Sequence, residues 1–159
     1  MPRTDTPVIV LVDDEDMVVT SIKSFLTLET DYEVRGFTDP GQAIEYIKAN
    51  HADVVVSDYL MPEIDGISFL GKVKEIQPQA TRILLTGYAD KENAIKAIND
   101  VGLYQYIEKP WENDDLKLII RNGLEKRILL KKLEDKIAEV NRTHDELMSL
   151  QRDILKAFA

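Results

Sequence analysis

The sequence has no cysteine, which excludes a disulfide framework and any chemistry that depends on a thiol. It has no apolar run approaching the roughly 20 residues that a membrane-spanning helix needs. Its first residues, MPRTDTPV, lack the apolar stretch of a signal peptide. These absences predict a cytoplasmic protein with no membrane partner.

Basic charge is scarce in the larger part of the chain. Residues 1–110 carry a net charge of −9, whereas residues 111–159 are neutral. Nucleic-acid binding needs a basic face that displaces counterions from phosphates, and the tail shows no basic recognition helix after a turn. We therefore expect no direct nucleic-acid contact and two regions with different roles.

The first 110 residues alternate short apolar runs with amphipathic segments. Continuous β-branched runs are typical of parallel strands that are covered on both faces. Repeated strand–helix alternation predicts an α/β fold with a doubly wound parallel sheet of about five strands. Asp39 and Pro40 look like a helix N-cap and first helical residue. The expected strands are Val8–Val12, Tyr32–Phe37, Val54–Ser57, Arg82–Thr86 and Leu103–Ile107, and the expected helices are 17–28, 40–50, 67–76 and 91–99.

The pattern changes after Pro110. From Asn113 onward there is no proline and one glycine, so a single helix of about 45 residues is possible, far longer than usual. Alternating steps of three and four give a nine-position seam in which seven residues are apolar, as in a coiled coil. The seam consists of Leu130, Leu133, Ile137, Val140, His144, Leu147, Gln151, Ile154 and Phe158.

Acidic residues stand at the ends of the first and third apolar runs. Asp13 and Asp14 follow the first strand, and Asp58 ends the third. Because the carboxyl ends of parallel strands meet at one edge, these carboxylates converge there with Thr86 and Lys109. Oxygen ligands suit Mg²⁺. Asp58 then has the features of a carboxylate nucleophile, with Lys109 and Thr86 contacting the transferred phosphoryl group.

Each piece has an ordinary interpretation when it is taken alone. The acids at 13 and 14 could belong to a helix N-cap region, and Asp58 could be a turn residue before Pro62. Thr86 could be a strand end, and Lys109 a surface lysine. Their joint occurrence favours the phosphoryl site.

Four segments together resemble the receiver domain of two-component response regulators over residues 7–125. They are DD at 13–14, DYLMPEIDG at 58–66, LLTGYAD at 84–90 and YIEKPW at 106–111. The resemblance implies a flavodoxin-like strand order of 2-1-3-4-5 and a cis Lys109–Pro110 bond.

The resemblance also implies the roles of the site residues. Asp58 would accept the phosphoryl group, and Lys109 would contact it. Thr86 and Tyr106 would form a switch pair, although Tyr106 could simply be a packed aromatic residue. Mg²⁺ or Mn²⁺ would be bound directly by Asp14, Asp58 and the backbone carbonyl of Leu60, and by Asp13 mainly through water.

The expected organisation is a receiver domain over 1–125 and a helical stalk over 126–159, continuous with the last receiver helix. The chain would take a phosphoryl group from a histidine kinase or phosphotransfer protein. It would relay that state through a parallel homodimer of stalks, or to an output domain such as a cyclase, phosphodiesterase or ATPase. It would be a signalling domain rather than an enzyme with an external substrate.

Three alternatives remain open from the sequence. An aspartyl-phosphate phosphatase would place its nucleophile in a D-x-D pattern after the first strand, where this chain has DDED. A dimeric adaptor would work without phosphate. The stalk could also pack against its own domain. His144, in THDELM, resembles the phosphorylated histidine of a kinase, but Met148 and the absence of a nucleotide-binding domain favour a polar seam position.

Overall fold

The computed structural model describes residues 6–158, apart from the side chain of Tyr88. Five strands alternate with five helices, and a short 3-10 helix, Tyr88–Asp90, precedes the fourth of them. The strands are β1 (Val8–Val12), β2 (Glu33–Phe37), β3 (Val54–Asp58), β4 (Thr81–Thr86) and β5 (Gln105–Glu108). The helices are α1 (Asp16–Glu29), α2 (Pro40–Ala49), α3 (Gly66–Ile76), α4 (Lys91–Asp100) and α5 (Asn113–Ala157).

The strands form one parallel sheet in the order β2-β1-β3-β4-β5. This topology confirms the doubly wound fold and the strand order that the resemblance implies. The long last helix is confirmed as well. Asp39 caps α2, because its carboxylate accepts a hydrogen bond from the Gly41 amide, and Pro40 is the first helical residue as expected.

Side chains alternate across the sheet and build a hydrophobic core on each face. One core joins residues such as Val10, Val55 and Leu84 to helices α2, α3 and α4. The other joins Ile9 and its neighbours to α1 and to the first part of α5. All five residues of β3 are buried, as expected for a central strand covered on both sides.

Strand β5 begins two residues later than the sequence predicts, because the preceding loop is held by Arg82. The buried guanidinium of Arg82 donates hydrogen bonds to the carbonyls of Val101 and Gly102, and Gly102 has a φ of +62°. The Tyr104 amide then donates to the Arg82 carbonyl. Regular pairing with β4 therefore starts only at Gln105.

The chain divides into two compact units, one that ends at Arg127 and one that begins at Ile128. The described part of the second unit is helical, and its side chains are exposed. Residues 1–5 and Ala159, at the ends of the two predicted domains, lie outside the described residues. Within residues 6–158, no helix combines the length and the apolar character needed to cross a membrane.

Gly66 stands where β3 and α3 approach most closely. A Cβ atom there would collide with the carbonyl oxygen of Asp58 and lie 2.8 Å from Leu84 Cδ1. We expect Gly66→Ala to lower the free energy of unfolding by about 1–3 kcal/mol through overpacking, measured by urea denaturation.

Gly71, in the same helix, provides the matched control. A Cβ atom there would lie 3.6 Å from Val101 Cγ1, an ordinary contact. Because alanine favours a helix interior, Gly71→Ala should be neutral or stabilising by up to about 1 kcal/mol. Equal stability of the two variants would contradict this account of the β3–α3 packing.

Candidate functional site

The register of the sheet brings the predicted site residues to one edge. Val12 is paired with Ser57, so the next residues, Asp13 and Asp58, lie at the same level. On the other side, Thr86 is paired with Glu108, the residue before Lys109. The edge formed by the carboxyl ends of the strands therefore collects groups from four segments.

Three carboxylates meet at this edge. Asp13, Asp14 and Asp58 each have a carboxylate oxygen that lies within 4.8 Å of one oxygen of each of the other two. Asp13 and Asp58 are only 2% and 6% exposed, whereas Asp14 is exposed. Like charges at this separation repel one another, and burial of two of them limits screening by water.

Lys109 is the cation that faces these carboxylates. Its Nζ lies 2.9 Å from Asp58 Oδ1 and 3.6 Å from Asp13 Oδ2. Its backbone amide donates to the carbonyl of Thr86, at 2.8 Å, which fixes the start of the loop after β5. The Lys109–Pro110 peptide bond is cis, as the resemblance implies.

The pKa values reflect this balance of burial and charge. Burial raises the pKa of the Asp13 carboxyl from 3.8 to about 6, although the amide of Glu15 donates a hydrogen bond that opposes the shift. Burial also raises the pKa of Asp58, while its hydrogen bond with Lys109 acts in the opposite direction. Burial tends to lower the pKa of Lys109, but its hydrogen bond with Asp58 and the charge of Asp13 outweigh that effect and raise it.

The donor set fits a hard divalent cation. Three carboxylates and one ammonium leave two negative charges uncompensated. Asp13 Oδ2 is buried and has no hydrogen-bond partner within the described residues. Lys109 Nζ lies 3.6 Å from this oxygen, beyond hydrogen-bond distance, so a closer cation would stabilise the buried carboxylate. Carboxylate oxygens with access for water and phosphate suit Mg²⁺.

The other predicted site residues of the receiver domain lie on β4, on β5 and in the loop after β3. Thr86 is fully buried at the end of β4, and its hydroxyl donates to the carbonyl of Gly87, at 3.0 Å. Tyr106 is half-buried and packs against the core formed with α2, α3 and α4. Leu60 lies in the loop after β3 with its side chain exposed. Trp111 packs against the opposite core.

Tyr59 is a neighbour of the site that sequence reasoning did not single out. Its amide lies 2.9 Å from both Asp58 Oδ1 and the carbonyl oxygen of Leu85, so it can donate to either. Its phenol oxygen accepts a hydrogen bond from Asn93 in α4, at 3.0 Å. The only signal in the sequence is adjacency to Asp58, because the contact with Asn93 spans 34 residues.

Eight of the nine predicted seam residues lie in the exposed part of α5 that belongs to the second unit, and Phe158 follows directly after the helix. The apolar members include Leu133, Val140 and Leu147, which are 56–57% exposed. His144 and Gln151 are exposed as well. Regularly spaced exposed apolar residues of this kind are typical of surfaces that bind a partner.

The raised pKa of Asp13 predicts how stability depends on pH. The folded chain holds the Asp13 proton more tightly than the unfolded chain does, so this group lowers stability as pH rises from about 4 to about 6. Without divalent cations at pH 8, Asp13→Asn should raise the free energy of unfolding by about 1–3 kcal/mol, and the gain should disappear near pH 4.

Asp14→Asn is the matched control, because Asp14 is exposed. Its effect in urea denaturation should stay within about 0.5 kcal/mol at either pH. If Asp13→Asn left stability unchanged or lower at pH 8, the buried charge would not be the cost inferred here.

Comparisons with known proteins agree with this geometry. The family model described as the response regulator receiver domain matches residues 9–121. The hydrogenase transcriptional regulatory protein HoxA of Bradyrhizobium diazoefficiens is 29% identical over 93% of this chain. The chain spans only 31% of the length of that relative.

Two solved structures have the same fold. A response regulator receiver domain protein from Clostridium thermocellum is 32% identical, with a TM-score of 0.73, and the match covers 78% of this chain and 98% of that one. A structure of adenylate cyclase from Rhodopirellula baltica is 27% identical, with a TM-score of 0.79, over 83% of this chain and 97% of that one. The chain therefore belongs to the response regulator receiver domain family.

Proposed function

We propose that this chain accepts a phosphoryl group on Asp58, in the presence of Mg²⁺ or Mn²⁺, from a histidine kinase or a phosphotransfer protein. The observation that carries the proposal is the meeting of three carboxylates and Lys109 at one sheet edge, with Lys109 Nζ 2.9 Å from Asp58 Oδ1. A carboxylate held beside both a cation site and an ammonium group can act as a nucleophile toward phosphorus.

The transfer forms one bond and breaks one bond. A carboxylate oxygen of Asp58 attacks phosphorus, and the bond from phosphorus to the donor nitrogen or oxygen breaks. The donor leaves with the electron pair, as histidine or as acetate when acetyl phosphate is the donor. Lys109 is placed to contact the added oxygens, because its ammonium already contacts Asp58.

The ion-binding residues follow from the family resemblance and from the carboxylate cluster. Asp14, Asp58 and the backbone carbonyl of Leu60 would hold the ion directly, and Asp13 would contact it mainly through water. The bound ion supplies positive charge that offsets the charge of the incoming phosphoryl oxygens. Asp13 Oδ2, which has no hydrogen-bond partner among the described residues, favours this assignment.

Thr86 and Tyr106 would carry the change of state away from Asp58. The Thr86 hydroxyl donates to Gly87 in this structure, so it can exchange that weak local bond for a phosphoryl oxygen. Movement of Thr86 would free space for the half-buried ring of Tyr106. The two arrangements need to differ by only a few kcal/mol to act as a switch.

The chain would act as a signalling domain whose only reactions are its own phosphorylation and slow dephosphorylation. Residues 1–125 would form the receiver, and residues 126–159 would form the stalk. The net charge of −9 over residues 1–110 favours protein partners over nucleic acid.

The stalk would assemble as a parallel homodimer through its seam. Residues such as Ile137 and Ile154 are 51% and 50% exposed, and pairing of two copies would bury them. The polar seam positions, His144 and Gln151, would fix the register at a cost in stability. A dimer, or an output domain that the stalk leads to, would receive the signal.

Phosphorylation is tested by incubating the chain with acetyl phosphate and Mg²⁺ and measuring the intact mass. The wild type should gain one phosphoryl group. Asp58→Asn should gain none, because an amide is a far weaker nucleophile than a carboxylate. An equal gain in the variant would exclude Asp58 as the acceptor, and rapid multiple turnover of acetyl phosphate would favour a phosphatase.

Dimer formation is tested by sedimentation equilibrium at micromolar concentrations. Ile137→Glu should convert the dimer to a monomer, because it places like charges within the seam. Arg142→Glu, which lies outside the seam, should leave the dimer intact. A wild-type chain that is monomeric at high micromolar concentration would contradict the homodimer, whereas the mass measurement would be unaffected.

A further inference from the structure

The backbone amide of Tyr59 is within hydrogen-bond distance of the Asp58 carboxylate. The Tyr59 amide lies 2.9 Å from Asp58 Oδ1 and from the Leu85 carbonyl oxygen, and the Tyr59 carbonyl accepts from the Gly66 amide at 2.8 Å. A hydrogen bond from an amide to an ionised carboxylate is stronger than one between neutral groups. The Tyr59 amide is therefore a group whose hydrogen bonding responds to the charge on the Asp58 carboxylate.

The side chain of Tyr59 reaches a different element, helix α4. Its ring packs against the core on the α2, α3 and α4 face of the sheet, and its phenol oxygen accepts a hydrogen bond from Asn93 Nδ2 at 3.0 Å. One residue thus contacts both the Asp58 carboxylate and the first turns of α4. We call the Tyr59–Asn93 hydrogen bond the latch.

Among the described side chains, those of helix α4 bury little apolar surface. Its buried residues are two alanines, Ala94 and Ala97, whereas Ile95 and Ile98 are 48% and 40% exposed. Helix α3, by contrast, buries large side chains that include Phe69 and Leu70. Because two alanines bury little apolar area, the side-chain hydrogen bond from Asn93 adds a contact at the start of a helix that is weakly anchored by its core residues.

We propose that Tyr59 is a positioning residue that couples the charge on Asp58 to the placement of α4, with the latch formed when Asp58 is unmodified. The inference rests on the proposed phosphoacceptor function of Asp58. Tyr59 would provide a second connection between the site and α4. This connection begins at the end of β3 and is separate from the Thr86–Tyr106 pair.

The coupling has a direct electrostatic cause. In an acyl phosphate the negative charge lies on the phosphoryl oxygens, so the carboxyl oxygens of Asp58 become weaker acceptors for the Tyr59 amide. The Leu85 carbonyl remains available to that amide, so Tyr59 can shift without losing its donor interaction. The latch is then weakened in the modified state. A contact that is stronger in one state biases the equilibrium toward that state.

Removal of the latch should therefore favour the modified state. Tyr59→Phe removes only the phenol oxygen, and Asn93→Ala removes the donor. With Mg²⁺ and beryllofluoride as the phosphoryl mimic, each variant should bind beryllofluoride about two- to tenfold more tightly than the wild type, the range expected for one neutral hydrogen bond. The double variant should show no further gain, because both changes remove the same bond.

A second measurement needs neither the ion nor the mimic. Amide hydrogen exchange over residues 91–99 of the unmodified chain should be faster in Tyr59→Phe and in Asn93→Ala, by similar factors, because α4 opens more readily. Asn99→Ala is the matched control, since it removes an exposed asparagine from the same helix away from Tyr59. It should leave beryllofluoride affinity unchanged and should not speed amide exchange over residues 91–99 of the unmodified chain.

Unchanged or weaker beryllofluoride binding in Tyr59→Phe would overturn the latch, as would additive effects in the double variant. Unchanged exchange in α4 would do the same. If the wild type fails to bind beryllofluoride while its fold is intact, the proposed function itself fails, and the coupling fails with it.

Discussion

The burial of negative charge at the edge of the sheet is the constraint on which the rest of the molecule depends. Asp13 and Asp58 are almost completely buried, yet Lys109 is the one described cation with an ion pair to either of them. Burial raises the pKa of both carboxyls. Selection for stability alone would not retain two buried carboxyl groups that lower the free energy of unfolding when they are ionised. Their presence points to a function that needs negative charge at this edge of the sheet.

The rest of the fold offsets this cost and makes the site responsive. Two hydrophobic cores, one on each face of the sheet, fix the strand register that aligns Asp13 with Asp58 and Thr86 with Glu108. Within the described side chains, helix α4 buries two alanines, and its Asn93 donates a hydrogen bond to Tyr59. A rigid sheet thus presents the charged groups, and a weakly attached helix can respond to a change in their charge.

Much of the fold could be predicted from local sequence signals. Continuous apolar runs identified β1, β3 and β4, the Asp39–Pro40 pair identified the start of α2, and the absence of proline identified the long last helix. The grouping of Asp13, Asp58 and Lys109 followed from the rule that parallel strands end at one edge. The roles of these residues stay predictions, as do the domain limits.

Other features depend on contacts between distant residues, so no local pattern signals them. No local pattern shows that Asp13 is buried and Asp14 exposed, as they are in the structure. Arg82 lies in an otherwise apolar strand, and only its contacts with Val101 and Gly102 explain its burial and the late start of β5. The contact of Tyr59 with Asn93 likewise depends on the placement of α4.

The central claim, that the three carboxylates hold a divalent cation, is tested most directly by calorimetric titration with MgCl₂. The account predicts saturable binding of one ion per chain, weakened in Asp14→Asn; absence of saturable binding by a folded wild-type chain would contradict it.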